Sequence, residues 1–338
     1  VDSYQVAVFF GGRSSEHSIS ILSAQGIVPA LLEAGHGVIP VGIGRDGSWS
    51  YVSPATLLAC EGPIPELPGN KNPVHVSWGS SGVTLTTADG DSWQPDVAFP
   101  ILHGPWGEDG AFQGFLESIG LPYVGSGVRA SACAMDKPTA KTIVAQAGLP
   151  VGQWFSEEPE QWRGPIFVKP AQAGSSIGIS RVDDPVDLPQ AIEVAQQHDE
   201  RLIFEIAVDN AREIECGVIQ DKDGHLRASR CAEIIVPGGF YDFDAKYRSD
   251  VATLSVPADV PEAVERHIQQ LAKDVFTALG CAGFARVDFF LQADGTVLVN
   301  ELNTLPGFTP ISMFPRMWQA TGVSYSELLD ELVRSVVR

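Results

Sequence analysis

ARVDFFLQADGTVLVNELN, residues 285–303, places two runs of β-forming residues either side of Asp294-Gly295. Val, Phe and Leu suit a pleated, half-buried surface, and Asp-Gly between two such runs is the signal for a hairpin closed by a two-residue type I′ turn. Pairing outward from that dipeptide sets Asp288 opposite Glu301 and Arg286 opposite Asn303, and the two-residue period carries all four to one face. Like charges directly opposite one another destabilise a sheet, and their neighbours here are Val, Phe and Leu, so the acidic pair calls for a cation. Carboxylate and amide oxygens without His or Cys are hard ligands that suit Mg²⁺, which completes its octahedron with water and nucleotide phosphates. A solvated pair, or one neutralised by an arginine, is the alternative.

The chain around this hairpin alternates strands and helices. Near the start, VAVFF (6–10), a Gly/Ser loop, a helix over Ile19–Ala34 ended by Gly35 and the strand VIPVGI (38–43) favour a parallel, doubly wound sheet. After a hairpin in GVTLTTADGDSWQ (82–94), the buried strand DVAFPIL (96–102) delivers His103-Gly104 ahead of a helix through AFQGFLESIG (111–120). The pattern changes at a boundary near 130–136. Pro138 opens a helix through Ala147, PIFVKP (165–170) is a strand, and QAGSSIGIS (172–180) is a small-residue loop between strands. LIFEIAV (202–208), REIECGVIQ (212–220) and RASRCAEIIV (227–236) read as successive strands. A long polar and aromatic loop at 237–252, of a length typical of lids, and a helix over 261–280 lead into the hairpin.

Composition narrows the function. The 338 residues, 44% hydrophobic, are enough for two or three domains around large cores. A net charge of −20, with Lys and Arg scattered singly, argues against nucleic acid and anionic membrane as partners. With neither a bilayer-length apolar run nor a basic leader, the expected location is the cytoplasm. Cys60, Cys133, Cys216, Cys231 and Cys281 are far apart and lack metal-ligand spacing, which fits core thiols better than disulfides or a zinc site. In so acidic a protein, Lys169 at a strand end and Lys137 before Pro138 are placed to reach phosphates, and the loop AGSSIGIS can cover them with backbone N–H groups. Neither G-x-x-x-x-G-K-[ST] nor G-x-G-x-x-G occurs, so a P-loop and a Rossmann dinucleotide site lose support.

These pieces resemble, in order and across nearly the whole chain, the motifs of D-alanine–D-alanine ligases of the ATP-grasp superfamily. They are GGRSSEHSIS (11–20), HGPWGEDGAFQGFLE (103–117), MDK (135–137), VKPAQAGSSIGIS (168–180), FYDFDAKY (240–247), RVDFF (286–290) and NELNTLPGFT (300–309). The resemblance implies three α/β domains: 1–132 with the first D-alanine site, a central 133–212, and 213–338 with an omega loop at 237–252 and the hairpin. It implies two Mg²⁺ ions, replaceable by Mn²⁺, on Asp288, Glu301 and Asn303, with Glu301 bridging. ATP would be held by Lys137, Lys169, Ser175, Ser176, Glu205, Ile206, Val208, Glu213, Lys246, Asn300 and Glu301. On the amino-acid side it implies Glu16 on the first ammonium group, His103 beside that substrate, and Ser312 with Met313 at the second D-alanine. Arg286 and the Gly307 backbone would stabilise the oxyanion, and Ser175 and Tyr247 would join Glu16 in closing the site. The implied activity is ligation through an acyl phosphate for peptidoglycan synthesis, in a homodimer; D-alanine–D-lactate and D-alanine–D-serine ligation is the alternative. One departure stands out: where relatives often carry an Arg before Gly-Ser-Ser, this chain has Gln172-Ala173.

Overall fold

The computed structural model describes residues 2–60, 62, 65–67, 72–235 and 253–337. The 237–252 loop expected to act as a lid, with Lys246 and Tyr247, lies outside the described residues. The first layer contains β1 (Gln5–Gly11), α1 (His17–Glu33), β2 (Gly37–Ile43), β3 (Trp49–Tyr51), α2 (Pro54–Leu58), β4 (Val74–Gly79), β5 (Gly82–Thr87), β6 (Ser92–Trp93), β7 (Val97–Pro100) and α3 (Ala111–Ile119). Its main sheet runs β3-β2-β1-β7; β1 is parallel to β2 and to β7, whereas β3 is an antiparallel edge that the doubly wound expectation did not include. The sheet is covered on both sides. Val6, Val8 and Phe10 pack towards α1, while Ala7 and Phe9 pack with α3 and the β4-β5-β6 sheet. Alternate residues of one strand serve two cores, which is why VAVFF reads as continuously apolar.

Two helices, α4 (Val128–Met135) and α5 (Lys137–Gln146), link to a second sheet made of β8 (Trp154–Phe155), β9 (Ile166–Pro170), β10 (Ser180–Val182) and β11 (Leu202–Ile206), ordered β10-β9-β11-β8. With α6 (Leu188–Gln196) it buries its own cluster, centred on Ile166, Val168, Leu188, Ala191 and Phe204. The third sheet, β14-β13-β12-β15-β16, combines β12 (Arg212–Gln220), β13 (Leu226–Ile235), β14 (Thr253–Ser255), β15 (Phe284–Leu291) and β16 (Val297–Asn303). On it pack α7 (Glu262–Leu279), α8 (Met313–Ala320) and α9 (Tyr325–Val336). Ala130, Ala140 and Val144 of α4 and α5 belong to the core beneath this third sheet, whereas the core on the α1 side of the first sheet continues into Phe284, Phe314, Trp318 and Leu328.

The hairpin departs from its expected turn. Gln292 N–H donates to Thr296 O (2.9 Å), and Gly295 N–H to Gln292 O (3.0 Å), enclosing a three-residue loop over 293–295 with Gly295 at φ +88°. Leu291 therefore faces Val297 and Phe289 faces Val299, one step away from the type I′ register. A bulge at Asn300 then restores the expected pairs, Asp288 with Glu301 and Arg286 with Asn303. Three-residue loops ending in a left-handed glycine are a common hairpin form. The apolar spacing 297, 299, 302 marks the bulge, because it breaks the alternation once: Val297, Val299 and Leu302 all lie in the core.

Candidate active site

The sheets that hold β1, β9 and β12 all contribute to one cleft of about 810 Å³, a volume suited to a nucleotide-sized ligand. Among its lining residues are Glu16, His103, Lys137, Lys169, Ser175, Ser176, Glu205, Ile206, Val208, Glu213, Arg286, Asp288, Asn300, Glu301, Asn303, Gly307, Ser312 and Met313, so every expected site residue that is described converges here.

From the first sheet, Glu16 occupies the N-cap position of α1 without a side-chain bond into the helix; its carboxylate instead accepts from the Ser175 hydroxyl. Gly104 passes close by: a Cβ there would stand 2.9 Å from Glu16 Oε2. The buried His103 meets the Leu305 carbonyl through Nδ1 (3.0 Å) and Ser23 Oγ through Nε2 (3.3 Å). Burial disfavours its charged form, but Glu108, Glu16 and the Leu305 carbonyl outweigh that and hold the imidazole above its ordinary value.

The second sheet supplies the loop and Lys169, and α5, packed on the third sheet, supplies Lys137 and Lys141. Ser175 and Ser176 both take left-handed conformations (φ 54° and 58°), a strain that persists only where the surroundings enforce it. Lys137 and Lys141 lie one turn apart on α5 and so face the same way. Lys137 donates to the Ala173 carbonyl. Glu205 is buried with Lys169 Nζ 3.0 Å and Lys141 Nζ 3.4 Å from its two oxygens. Burial pushes this carboxyl up, yet Lys141, Lys169 and Lys137 together hold it down at about 2. Burial also lowers Lys137 and Lys141 below their ordinary values. The departure at Gln172 has a local counterpart: its amide reaches Asp136 (3.0 Å), which Arg201 also binds (2.6 Å). Asp136 caps α5 through Thr139 N–H (3.0 Å), so the Gln172 amide and the Arg201 guanidinium both meet the residue that precedes Lys137.

From the third sheet, Glu215, Asp288 and Glu301 lie side by side across β12, β15 and β16. Arg286 grips Asp288 through two contacts of 2.7 Å and stands 3.3 Å from Glu215, while Asn303 Nδ2 donates to Asp288 (3.1 Å). Burial opposes the Arg286 charge, but Asp288, Glu215 and Glu301 hold it well above its ordinary value. The arginine thus neutralises part of the acidic face. The donor set remains one of hard oxygens, open to the cleft, and fits a magnesium ion completed by phosphates. The three acids do not form a closed cage. Among the described residues, the one triad of His, Cys, Asp or Glu with donor atoms within 4.8 Å of each other is Asp221, Asp223 and His225. It lies at the β12–β13 turn, where Asp221 bonds the turn's own backbone. Ser312 begins α8 as its N-cap residue, but its hydroxyl accepts from Thr309 N–H (3.0 Å) and leaves the helix uncapped.

The sequence reading missed Lys141 and Glu215. The only signal for Glu215 was its two-residue spacing from Glu213, and for Lys141 its four-residue spacing from Lys137. The five cysteines are free; three are buried, and Cys60 and Cys133 are half-buried.

Two antiparallel sheets closing on a lysine-lined cleft, with an acidic hairpin at its floor, make this an ATP-grasp enzyme. Residues 5–126 match the family described as D-ala D-ala ligase N-terminus, and residues 140–334 the one described as D-ala D-ala ligase C-terminus. A D-alanine–D-alanine ligase of Mycolicibacterium smegmatis is 47% identical over 98% of this chain and 95% of that protein. One of Mycobacterium ulcerans is 46% identical at the same coverages. The solved D-alanine-D-alanine ligase of Coxiella burnetii aligns with a TM-score of 0.85 at 34% identity, covering 100% of this chain and 94% of its own. A D-Ala:D-Ser ligase of Enterococcus faecalis aligns with a TM-score of 0.86 at 34% identity, covering 99% and 100%. The chain belongs to the D-alanine–D-alanine ligase family.

Proposed function

We propose that this chain joins two D-alanine molecules to D-alanyl-D-alanine, a peptidoglycan precursor, using ATP to form a D-alanyl phosphate. The observation that carries this reading is the meeting of Glu16, the lysine cluster and Arg286 in a single cleft. Condensing a carboxylate with an amine in water is unfavourable, so the carboxylate is first activated by phosphoryl transfer. Glu16 then holds the ammonium group of the first D-alanine, and His103, tied to the Leu305 carbonyl, fixes the segment that carries Gly307. Lys137 and Lys169 hold the ATP phosphates beneath the 172–180 loop. Ile206, Val208 and Glu213 line the adenosine end.

Asp288, Glu301 and Asn303, with Asn300 beside them, would hold two Mg²⁺ ions, or Mn²⁺, which when bound neutralise phosphate charge. Arg286 would exchange Asp288 for the reacting carboxylate, and the Gly307 backbone N–H would meet the oxyanion when the second amine attacks and phosphate departs. Ser312 and Met313 accommodate the second D-alanine. Ser175, bonded to Glu16, closes the loop over the intermediate and excludes water, which would otherwise hydrolyse it. The domain division 1–132, 133–212 and 213–338, a cytoplasmic location and a homodimer complete the proposal.

ADP release should depend on D-alanine, and mass analysis should find D-alanyl-D-alanine as the main product when D-alanine, D-serine and D-lactate compete at equal concentration. ADP formation indifferent to any amino acid would overturn the ligase reading; mostly D-alanyl-D-serine or depsipeptide would overturn the substrate alone.

A further inference from the structure

Lys141 has no role of its own in the reading above, yet it is 5% exposed and, among the described residues, donates one hydrogen bond and forms one ion pair. The bond goes to the carbonyl of Asn300 (3.0 Å), the extra residue of the β16 bulge; the ion pair is with Glu205 (3.4 Å), which it shares with Lys169. A bulge takes one residue out of the ladder and lets the strand bend, so its position must be set by something outside the sheet. Residue 299 is anchored from the same side, its N–H donating to the Pro150 carbonyl (2.8 Å), and residue 301 returns to the ladder opposite Asp288. Between these fixed points, Asn300 is held by Lys141.

We propose that Lys141 is a positioning residue for the metal–nucleotide site: it pins the bulge at Asn300, and so sets where Glu301 and Asn303 stand, while its hold on Glu205 fixes how far Lys169 reaches towards the phosphates. It lines the cleft but acts through Asn300 and Glu205. The inference rests on the assignment of Glu301 to the metal. A shorter or neutral side chain lets the bulge migrate, and because Asn300, Glu301 and Asn303 follow one another along the strand, the displacement carries to all three.

The test uses the full-length protein saturated with ADP, with Mn²⁺ binding followed by calorimetry or electron paramagnetic resonance, together with the KM for ATP, kcat and the urea midpoint. Lys141→Met should weaken Mn²⁺ binding by about tenfold or more, the range usual for loss of a group that orients a metal ligand. The KM for ATP should rise by more than kcat falls. Lys141→Arg, which retains charge and donors, should recover most of the binding. The double variant Lys141→Met/Glu205→Gln removes one buried charge of each sign and leaves Lys169 a neutral amide in place of the carboxylate at 3.0 Å, so it should not recover Mn²⁺ binding; it serves where Lys141→Met alone folds poorly. Glu301→Gln is the control for the underlying assignment. Unchanged Mn²⁺ binding in Glu301→Gln as well as in the Lys141 variants would overturn both readings. Weakened binding in Glu301→Gln with wild-type binding in folded Lys141→Met or the double variant would overturn this inference alone.

Discussion

Removing the carboxylate of Glu205 leaves Lys141 and Lys169 buried together without the anion they share. Breaking a buried ion pair from one side costs about 3 kcal/mol, and Glu205→Gln should lose about that much in urea unfolding near neutral pH. The pH dependence follows from the same contacts. The folded value near 2 lies below the ordinary 4.5, so the ionised group favours the fold. Its contribution is complete above about pH 4.5 and is lost as pH falls towards about 2. Urea midpoints compared at about pH 5 and about pH 3 should therefore fall less steeply in Glu205→Gln than in the wild type. Glu301→Gln should behave in the opposite way: like-charge repulsion with Asp288 is relieved, so stability holds within about 1 kcal/mol while turnover falls sharply at limiting Mg²⁺. Near-wild-type turnover at limiting Mg²⁺ would show that Glu301 is not a metal ligand. At this scale, legibility depended on whether a residue's meaning lay in its own motif. Glu16, Lys169 and Arg286 could be found because short strings carried them. Lys141 and Glu215 acquire their neighbours from strands 159 and 73 positions away, Asn300 and Asp288, and no local spacing announces such a partner.

The hairpin shows how an element can be read correctly for an incorrect reason. Asp294-Gly295 suggested a two-residue turn, and the acids were duly placed opposite one another, but the true loop has three residues and Asn300 is looped out further along. The two departures offset each other at Asp288 and Glu301, and differ only between them, where Val297 and Val299 turn to the core. Side-chain periodicity could have exposed this, because a strict alternation would have put Asn300 into the core and both valines into the cleft. Gly295 makes the distinction testable. Its φ of +88° and the open space around its Cβ position leave backbone conformation as the sole cost of a side chain. Gly295→Ala should lose about 1–2 kcal/mol in urea unfolding with Mg²⁺ requirement unchanged. A second element, the 172–180 loop, is strained at Ser176 (φ 58°). Ser176→Gly should relieve about 1 kcal/mol of that strain, leaving the melting temperature equal or higher, while raising the KM for ATP several-fold because the loop is less preorganised.

For the whole molecule, the order of elements was legible because each alternation of strand and helix left a periodic trace, whereas the sharing of cores was not. Ala140 and Val144 lie in the core of the third sheet although α5 precedes the second in the chain, and Phe284 and Trp318 join Val6 and Val8 in a core that unites the first and third sheets. Helical periodicity marks a buried face and is silent about what buries it. The second sheet keeps its cluster, around Ile166, Val168 and Phe204, to itself, whereas the first, beside its own cluster on the α3 side, shares the α1-side core with the third. This partition has a consequence in time as well as in space. Cooperative opening follows contiguous burial, so native-state hydrogen exchange should resolve two tiers: amides of β9 and β11 exchanging through a smaller opening, and those of β1, β12 and β15 only through global unfolding. A nucleotide held, as proposed, between Lys169 and the acidic hairpin would tie the tiers together, and with ADP and Mg²⁺ present the exchange of β9 and β11 should slow towards that of the rest.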